Sequence, residues 1–335
     1  MICADGEVVM KRILLLLLIF SIILSFMQLS ANVSKRISVW NFIHKNKVNT
    51  VFVTSPARFP DQTLLDAGIR TLQSAGLTVI VGDSCRRYLS DEEKAREINE
   101  AFADPNIDMI ITSRGGHGSF RVLDYLDWKT ISKNPKPIVG YSDITALLLG
   151  IYFKTGIITY HGPMVTVELD NDGESLEKML KLLNGDKLIT FDYNSKPIVP
   201  GKMVGRLIVG NLSLFKTLQG TKYFGSLKDS ILVLEDVGES RESIERMVWN
   251  IAHLKDYQTL RGIVFAGFTQ INNDDFDGVF KILERFFEDA PFPVWVGLPV
   301  FHGNFTKLTL PVGAWVEMDL ENHYIKILNG PEPER

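Results

Sequence analysis

The sequence predicts an α/β protein with a doubly wound, flavodoxin-like parallel sheet in its N-terminal half and a second, smaller α/β domain after it. Three observations predict this. Short β-branched runs alternate with stretches of helical spacing, beginning with residues 48–54 (VNTVFVT), 64–75 and 77–81 (LTVIV). The run at 107–112 (IDMIIT) stops abruptly in Arg114-Gly115-Gly116, a strand closed by a glycine turn. The same alternation then starts afresh at Val204, beyond an acidic stretch containing Pro197 and Pro200.

Taken in order, residues 48–54 read as a buried strand closed by Ser55-Pro56, and 64–75 as a helix. Residues 92–103 read as a helix capped by Ser90 or Asp91. Residues 137–140 form the next strand, with Ser142-Asp143 read as the cap of an apolar helix at 144–153, and 157–161 is one more strand. The first domain spans 48–167, and 168–203 is a connector of moderate order with an amphipathic piece at 176–183. The second domain, 204–330, carries strands at 204–209, 230–234 (SILVL) and 262–268, helices at 244–254 and 279–287, and short strands near 294–296, 307–310 and 315–318.

The N-terminus does not belong to this pattern. Lys11 and Arg12 precede an apolar run, 13–27, broken only by Ser21 and Ser25. Its 15 residues fall short of the roughly 20 of a membrane-spanning helix, and Ser30-Ala31 follow as a cleavage site. Residues 1–32 are therefore expected to be a secretory signal or a membrane anchor, the signal being favoured, with 33–47 as a linker. Met10 is an alternative start. The expected location is exported or membrane-anchored, with membrane contact only through this segment.

Composition excludes several classes. A net charge of −4 over 335 residues, without basic runs interleaved with aromatics, argues against a nucleic-acid partner. Cys3 and Cys85 allow no disulfide framework, and the six histidines form no HxxxH or HxH pair. No metal or other cofactor is expected.

Residues 112–121 (TSRGGHGSFR) concentrate the chemistry. A serine on a tight strand-to-helix turn is pushed out of the fold, and adjacent glycines let substrate approach the backbone. Ser119 is thus a candidate nucleophile. A glycine turn of this kind also binds phosphate, and a serine there also serves as a plain helix cap; the residues alone leave all three readings open. Glu235, ending an apolar strand, and His302, in the loop before 307–310, are candidates for an orienting acid and a base, although each also reads as an ordinary loop residue. His117 is too close along the turn to serve Ser119 as base, and His161 reads as a core residue or a support behind the site.

These segments resemble, in order and wording, the LD-carboxypeptidase family of serine peptidases, which includes the microcin C self-immunity peptidases. The matching pieces are VTSPAR (53–58), SRGGHGSFRVLDYLD (113–127), VGYSDITALL (139–148), HGPM (161–164), GNLSLFKTLQGTKYF (210–224), LVLEDVGES (232–240) and GLPVFHGNFTKLTLPVG (297–313), spanning roughly 48–320. The resemblance implies a triad of Ser119, His302 and Glu235, with Glu235 preferred to Glu239. It also implies an oxyanion site at the N–H groups of Phe120 and of Gly115 or Gly116. His117 and Phe301 depart from the family's usual tyrosine and glycine. A carboxypeptidase must also hold a free carboxylate, for which Arg121, Arg114 and Arg206 are unranked candidates. The implied substrate is the peptidoglycan tetrapeptide, cut at its L,D-bond to release terminal D-alanine. Alternatives are an immunity-type peptidase acting on peptidyl- or aminoacyl-nucleotides, or a non-catalytic muropeptide-binding protein. The resemblance further suggests a homodimer.

Overall fold

The computed structural model describes residues 47–271 and 276–330, so the expected leader and most of the linker lie outside the described residues. Among those described, no helix is long and apolar enough to cross a membrane.

The first layer is built from β1 (Thr50–Thr54), α1 (Gln62–Ser74), β2 (Thr78–Val81), α2 (Asp91–Ala103), β3 (Met109–Thr112), α3 (Ser119–Val122), α4 (Trp128–Lys133), β4 (Ile138–Gly140), α5 (Thr145–Thr155) and β5 (Thr159–His161). Their strands lie in the order β2-β1-β3-β4-β5, all parallel, which is the doubly wound flavodoxin-like order. The central strands are buried on both faces, which is why they read as continuous apolar runs rather than alternating ones. Helix α2 begins where expected: Ser90 accepts from the Glu93 N–H while the Glu93 side chain accepts from the Ser90 N–H, a complete capping box.

The chain continues through α6 (Gly173–Leu183), β6 (Leu188–Thr190), β7 (Lys196–Val199), β8 (Met203–Asn211), α7 (Leu212–Leu218), β9 (Ser230–Val237), α8 (Arg241–Ala252), β10 (Gly262–Thr269), α9 (Phe276–Phe287), β11 (Val294–Val296), β12 (Leu310–Val312), β13 (Trp315–Asp319) and β14 (Tyr324–Ile327). Eight of these strands form a second sheet, β6-β14-β13-β8-β9-β10-β11-β7, parallel from β8 to β11 and antiparallel outside them. It is the wider of the two sheets rather than the smaller unit expected, because 188–199 of the connector supply a strand at each of its edges.

Two features lock the sheets together. Strand β12, from the C-terminal half, adds antiparallel to β5 and completes a six-stranded first sheet. Helix α5 is buried from Thr145 to Tyr152 because it is covered on both sides. A Cβ on Gly210 of β8 would sit 2.2 Å from Thr145 Cγ2, so only glycine lets the helix seat here. The Thr145 hydroxyl then accepts the Asn211 N–H at 2.9 Å. The start of α5, where β4 turns into a helix, is thereby pinned against the second sheet.

Candidate active site

The turn between β4 and α5 is sharp. After Gly140 and an extended Tyr141, Ser142 takes φ 62°, a left-handed conformation that a side-chain-bearing residue adopts only under constraint. Two glycines make room: a Cβ on Gly140 would lie 2.3 Å from Thr112 Oγ1, and one on Gly115 would lie 2.8 Å from Ser142 Cβ and 2.9 Å from its Oγ. This strand, strained serine and helix have the geometry of a nucleophile elbow. Ser142 makes no helix-capping hydrogen bond, so its reading as a cap is corrected.

His302 joins it from the loop that runs from β11 of the second sheet to β12 of the first. Its Nδ1 lies 2.7 Å from Glu235 Oε2 and its Nε2 lies 3.0 Å from Ser142 Oγ. The carboxylate only accepts, so the network assigns the Nδ1 proton to that bond and leaves the Nε2 lone pair facing the serine hydroxyl. Glu235 is 1% exposed. Burial would raise its carboxyl, but the His302 hydrogen bond, together with the charges of His302, His161 and Lys307, holds it below the ordinary carboxylate value. It lies within β9, not at its end, between Asn211 of β8 and Gly267 of β10. The next residue turns to the opposite face. Asp236 accepts from Asn211 Nδ2 and from the N–H and hydroxyl of Ser213 at the start of α7, and burial pushes it up to about 6.

The structure separates Ser119 from this group, which corrects its assignment as the residue facing His302. Ser119 is fully buried and donates its hydroxyl proton to the Asp143 carbonyl. The Asp143 carboxylate in turn accepts from Gly118 N at 3.2 Å and Ser119 N at 2.9 Å. The glycine turn is thus a clasp for the elbow: its leading glycine leaves space for Ser142, and its trailing residues cap α3 through Asp143.

The other candidates divide. Gly115 is buried beside the elbow, its Cβ position 3.4 Å from Asp143 N; Gly116 is exposed, with φ 133° and Arg58 packed over it. Phe120 follows Ser119 rather than Ser142, and its ring meets the exposed His117 edge-on at 5.5 Å. Arg121 is exposed and engaged with Asp91 at 2.7 Å, and Arg206 donates to the carbonyls of Ser226 and Lys228. Arg114 and Arg206 each have a buried Nε with no partner among the described residues, and of the two it is Arg114 that adjoins Gly115 beside the elbow. Phe301 is accommodated because its ring fills the side-chain space left by Gly267, 2.5 Å from where a Cβ would stand.

Behind the site, His161 Nε2 lies 2.8 Å from the Val300 carbonyl, tying the histidine loop to β5, and burial pushes its imidazole down to about 4. Its Nδ1 and Glu235 Oε1 are both buried without a partner among the described residues. No cluster of potential metal ligands occurs among the described residues.

Comparison with known proteins agrees with the family resemblance. Residues 51–162 match the LD-carboxypeptidase N-terminal domain and 204–318 its C-terminal domain. The probable murein peptide carboxypeptidase of Bacillus subtilis is 30% identical over 287 residues, 82% of this chain and 90% of that protein. The murein tetrapeptide carboxypeptidase of Pseudomonas aeruginosa is 30% identical over 275 residues, 76% and 88% respectively. Among solved structures, the wild-type microcin C7 self-immunity protein MccF superposes with a TM-score of 0.76 at 25% identity, covering 84% of this chain and 96% of that one. MccF is the protein of Escherichia coli. With both domains matched and the elbow, histidine loop and acid-bearing strand in place, this chain belongs to the LD-carboxypeptidase family of peptidases.

Proposed function

We propose that the chain is a serine peptidase that hydrolyses the L,D-peptide bond of peptidoglycan stem tetrapeptides and releases terminal D-alanine. The observation that carries it is His302, placed between Glu235 Oε2 at 2.7 Å and Ser142 Oγ at 3.0 Å. In this reading Ser142 attacks the scissile carbonyl as its proton passes to His302 Nε2, and Glu235 holds the tautomer and stabilises the imidazolium. The oxyanion is received by the N–H of Asp143, the residue after the nucleophile, and by one from the Gly115-Gly116 turn. The tetrahedral species collapses as His302 protonates the departing amine of D-alanine, and water then cleaves the acyl-enzyme by the same route. Arg114 is the arginine best situated to meet the free carboxylate of the substrate.

The relatives named for murein peptides support this substrate class. The apolar leader, read as an export signal, supports this reading over a cytosolic one, because an exported enzyme would meet muropeptides. The likeness to MccF supports a second reading, cleavage of aminoacyl nucleotides, since MccF is solved with aspartyl sulfamoyl adenosine. Incubating the purified protein with stem tetrapeptide and, separately, with an aminoacyl sulfamoyl nucleoside, followed by mass spectrometry, decides between them. Alanine release from the tetrapeptide that disappears in His302→Ala supports the first; cleavage of the nucleoside alone favours the second; cleavage of neither leaves a binding role. The N-terminal residue of protein recovered from cells tests the leader, because an intact Met1 or Met10 excludes a cleaved signal. The homodimer, suggested by the family, is checked by light scattering.

A further inference from the structure

Lys307 lies five residues after His302 and is fully buried. A buried ammonium is costly unless it is paired, and an apolar side chain of similar length fills the same space at less expense. Its partners are informative. Lys307 Nζ donates to the Phe301 carbonyl at 2.6 Å, lies 3.2 Å from Glu168 Oε1, and stands over the rings of Tyr141 at 4.2 Å and Phe305 at 5.0 Å. The Tyr141 hydroxyl donates to the same Glu168 oxygen at 2.8 Å, while the other oxygen accepts the Met164 N–H. Tyr141 immediately precedes Ser142, Phe301 immediately precedes His302, and the rings of Tyr141 and His302 are 4.9 Å apart.

We propose that Lys307 is a positioning residue that clamps the loop of His302 to the elbow of Ser142 and offsets the two buried carboxylates behind the imidazole. The proposal rests on the Ser142, His302 and Glu235 reading. Ser142 and His302 are 160 residues apart in sequence, one following β4 and the other in the loop between β11 and β12. One cation bonded to Phe301 and stacked on Tyr141 fixes both approaches at once. The groups facing His302 are Glu235 from β9 and Ser142 and Tyr141 from the elbow, with His161 of β5, Glu168 and Lys307 behind them. Removing the ammonium leaves Glu168 and Glu235 uncompensated around the imidazole, and removing the Glu168 charge leaves the ammonium in excess.

The two changes therefore act with opposite sign on the acidic limb of the kcat/KM profile, measured by alanine release from the stem tetrapeptide. In Lys307→Met the limb moves to higher pH by about one unit, and in Glu168→Gln to lower pH by a comparable amount. Loss of the clamp lowers kcat of Lys307→Met by roughly 10- to 100-fold with KM changed less than about threefold. A purely structural lysine lowers the yield of folded protein but leaves the limb in place. Should Lys307→Met fail to fold, Glu168→Gln and the charge-balanced Lys307→Met/Glu168→Gln carry the test, the latter with a near wild-type limb and a lowered kcat. Limbs that stay put, or move in the same direction, overturn the proposal. Ser142→Ala separates the two levels: activity surviving in it removes the triad reading itself, whereas an inactive Ser142→Ala beside unmoved limbs removes only the role of Lys307. If no tetrapeptide is cleaved, the same opposed displacements are sought in the pH titration of the His302 imidazole NMR signal.

Discussion

Two serines stand near the same turn, and replacing each by alanine separates their roles. Ser142→Ala removes the only hydroxyl bonded to His302 among the described residues. Losing a nucleophile that acts as a unit with its base lowers kcat by about 10⁴-fold or more, at least about 5 kcal/mol at 1.36 kcal/mol per tenfold. The fold is untouched, because Ser142 is half-buried and caps no helix. Ser119→Ala removes one buried hydrogen bond, to a carbonyl that also accepts the Thr145 N–H and so is not orphaned. Its cost is stability, about 1 kcal/mol, with kcat/KM of the folded enzyme within about tenfold of wild type. Alanine release quantified by mass spectrometry, with thermal unfolding of both variants, makes the comparison. A folded Ser119→Ala as inactive as Ser142→Ala, or an active Ser142→Ala, would refute the assignment.

Further outcomes follow from the same geometry. Gly115→Ala places a Cβ 2.8 Å from Ser142 Cβ, and kcat is expected to fall by about 100-fold as the nucleophile is displaced, with KM measured alongside. Glu235→Gln keeps the shape but not the charge beside His302, and kcat is expected to drop by about 10³- to 10⁴-fold. Asp143→Ala leaves the Gly118 and Ser119 N–H groups without their acceptor, and about 2 kcal/mol or more of stability is expected to be lost on chemical denaturation. His161 is buried, and its imidazole is pushed down from 6.5 to about 4, so below pH 6.5 the unfolded chain binds the proton first. Stability from this group is present above about pH 6.5 and is lost as pH falls toward 4, a span of roughly 3 kcal/mol. His161→Gln should flatten that part of the denaturation profile; an unchanged slope would show that another group causes it.

The parallel sheet was legible because its signal is local: β-branched runs, helical spacing and a glycine stop each occupy a few consecutive residues. The edges of the second sheet were not. Residues 188–190 and 196–199 are short and exposed or half-exposed, and they become strands only because β14 and β11 offer them open edges. Pairing of that kind is set by tertiary contact rather than by propensity. The insertion of β12 into the first sheet has the same origin.

The site shows the same division more sharply. His302 and Glu235 each also read as ordinary loop residues, and it was their place in the family resemblance that paired them; the structure brings them into contact. Ser119 drew attention because its glycines are adjacent in sequence, yet those glycines serve a neighbour. Gly115 clears the space of Ser142, and Gly118 and Ser119 present their N–H groups to Asp143. The elbow had its own mark in Gly140-Tyr141-Ser142, a strand end followed two residues later by a serine and then a helix. That mark was masked because Ser and Asp before an apolar helix are also strongly preferred N-cap residues. What separates the two is backbone conformation: an N-cap serine is extended, whereas Ser142 has φ 62°. A positive φ at serine costs energy that a cap has no reason to spend, so the strain, rather than the residue type or its glycine neighbours, distinguishes the hydroxyl aimed at His302 from the one tied to a backbone carbonyl.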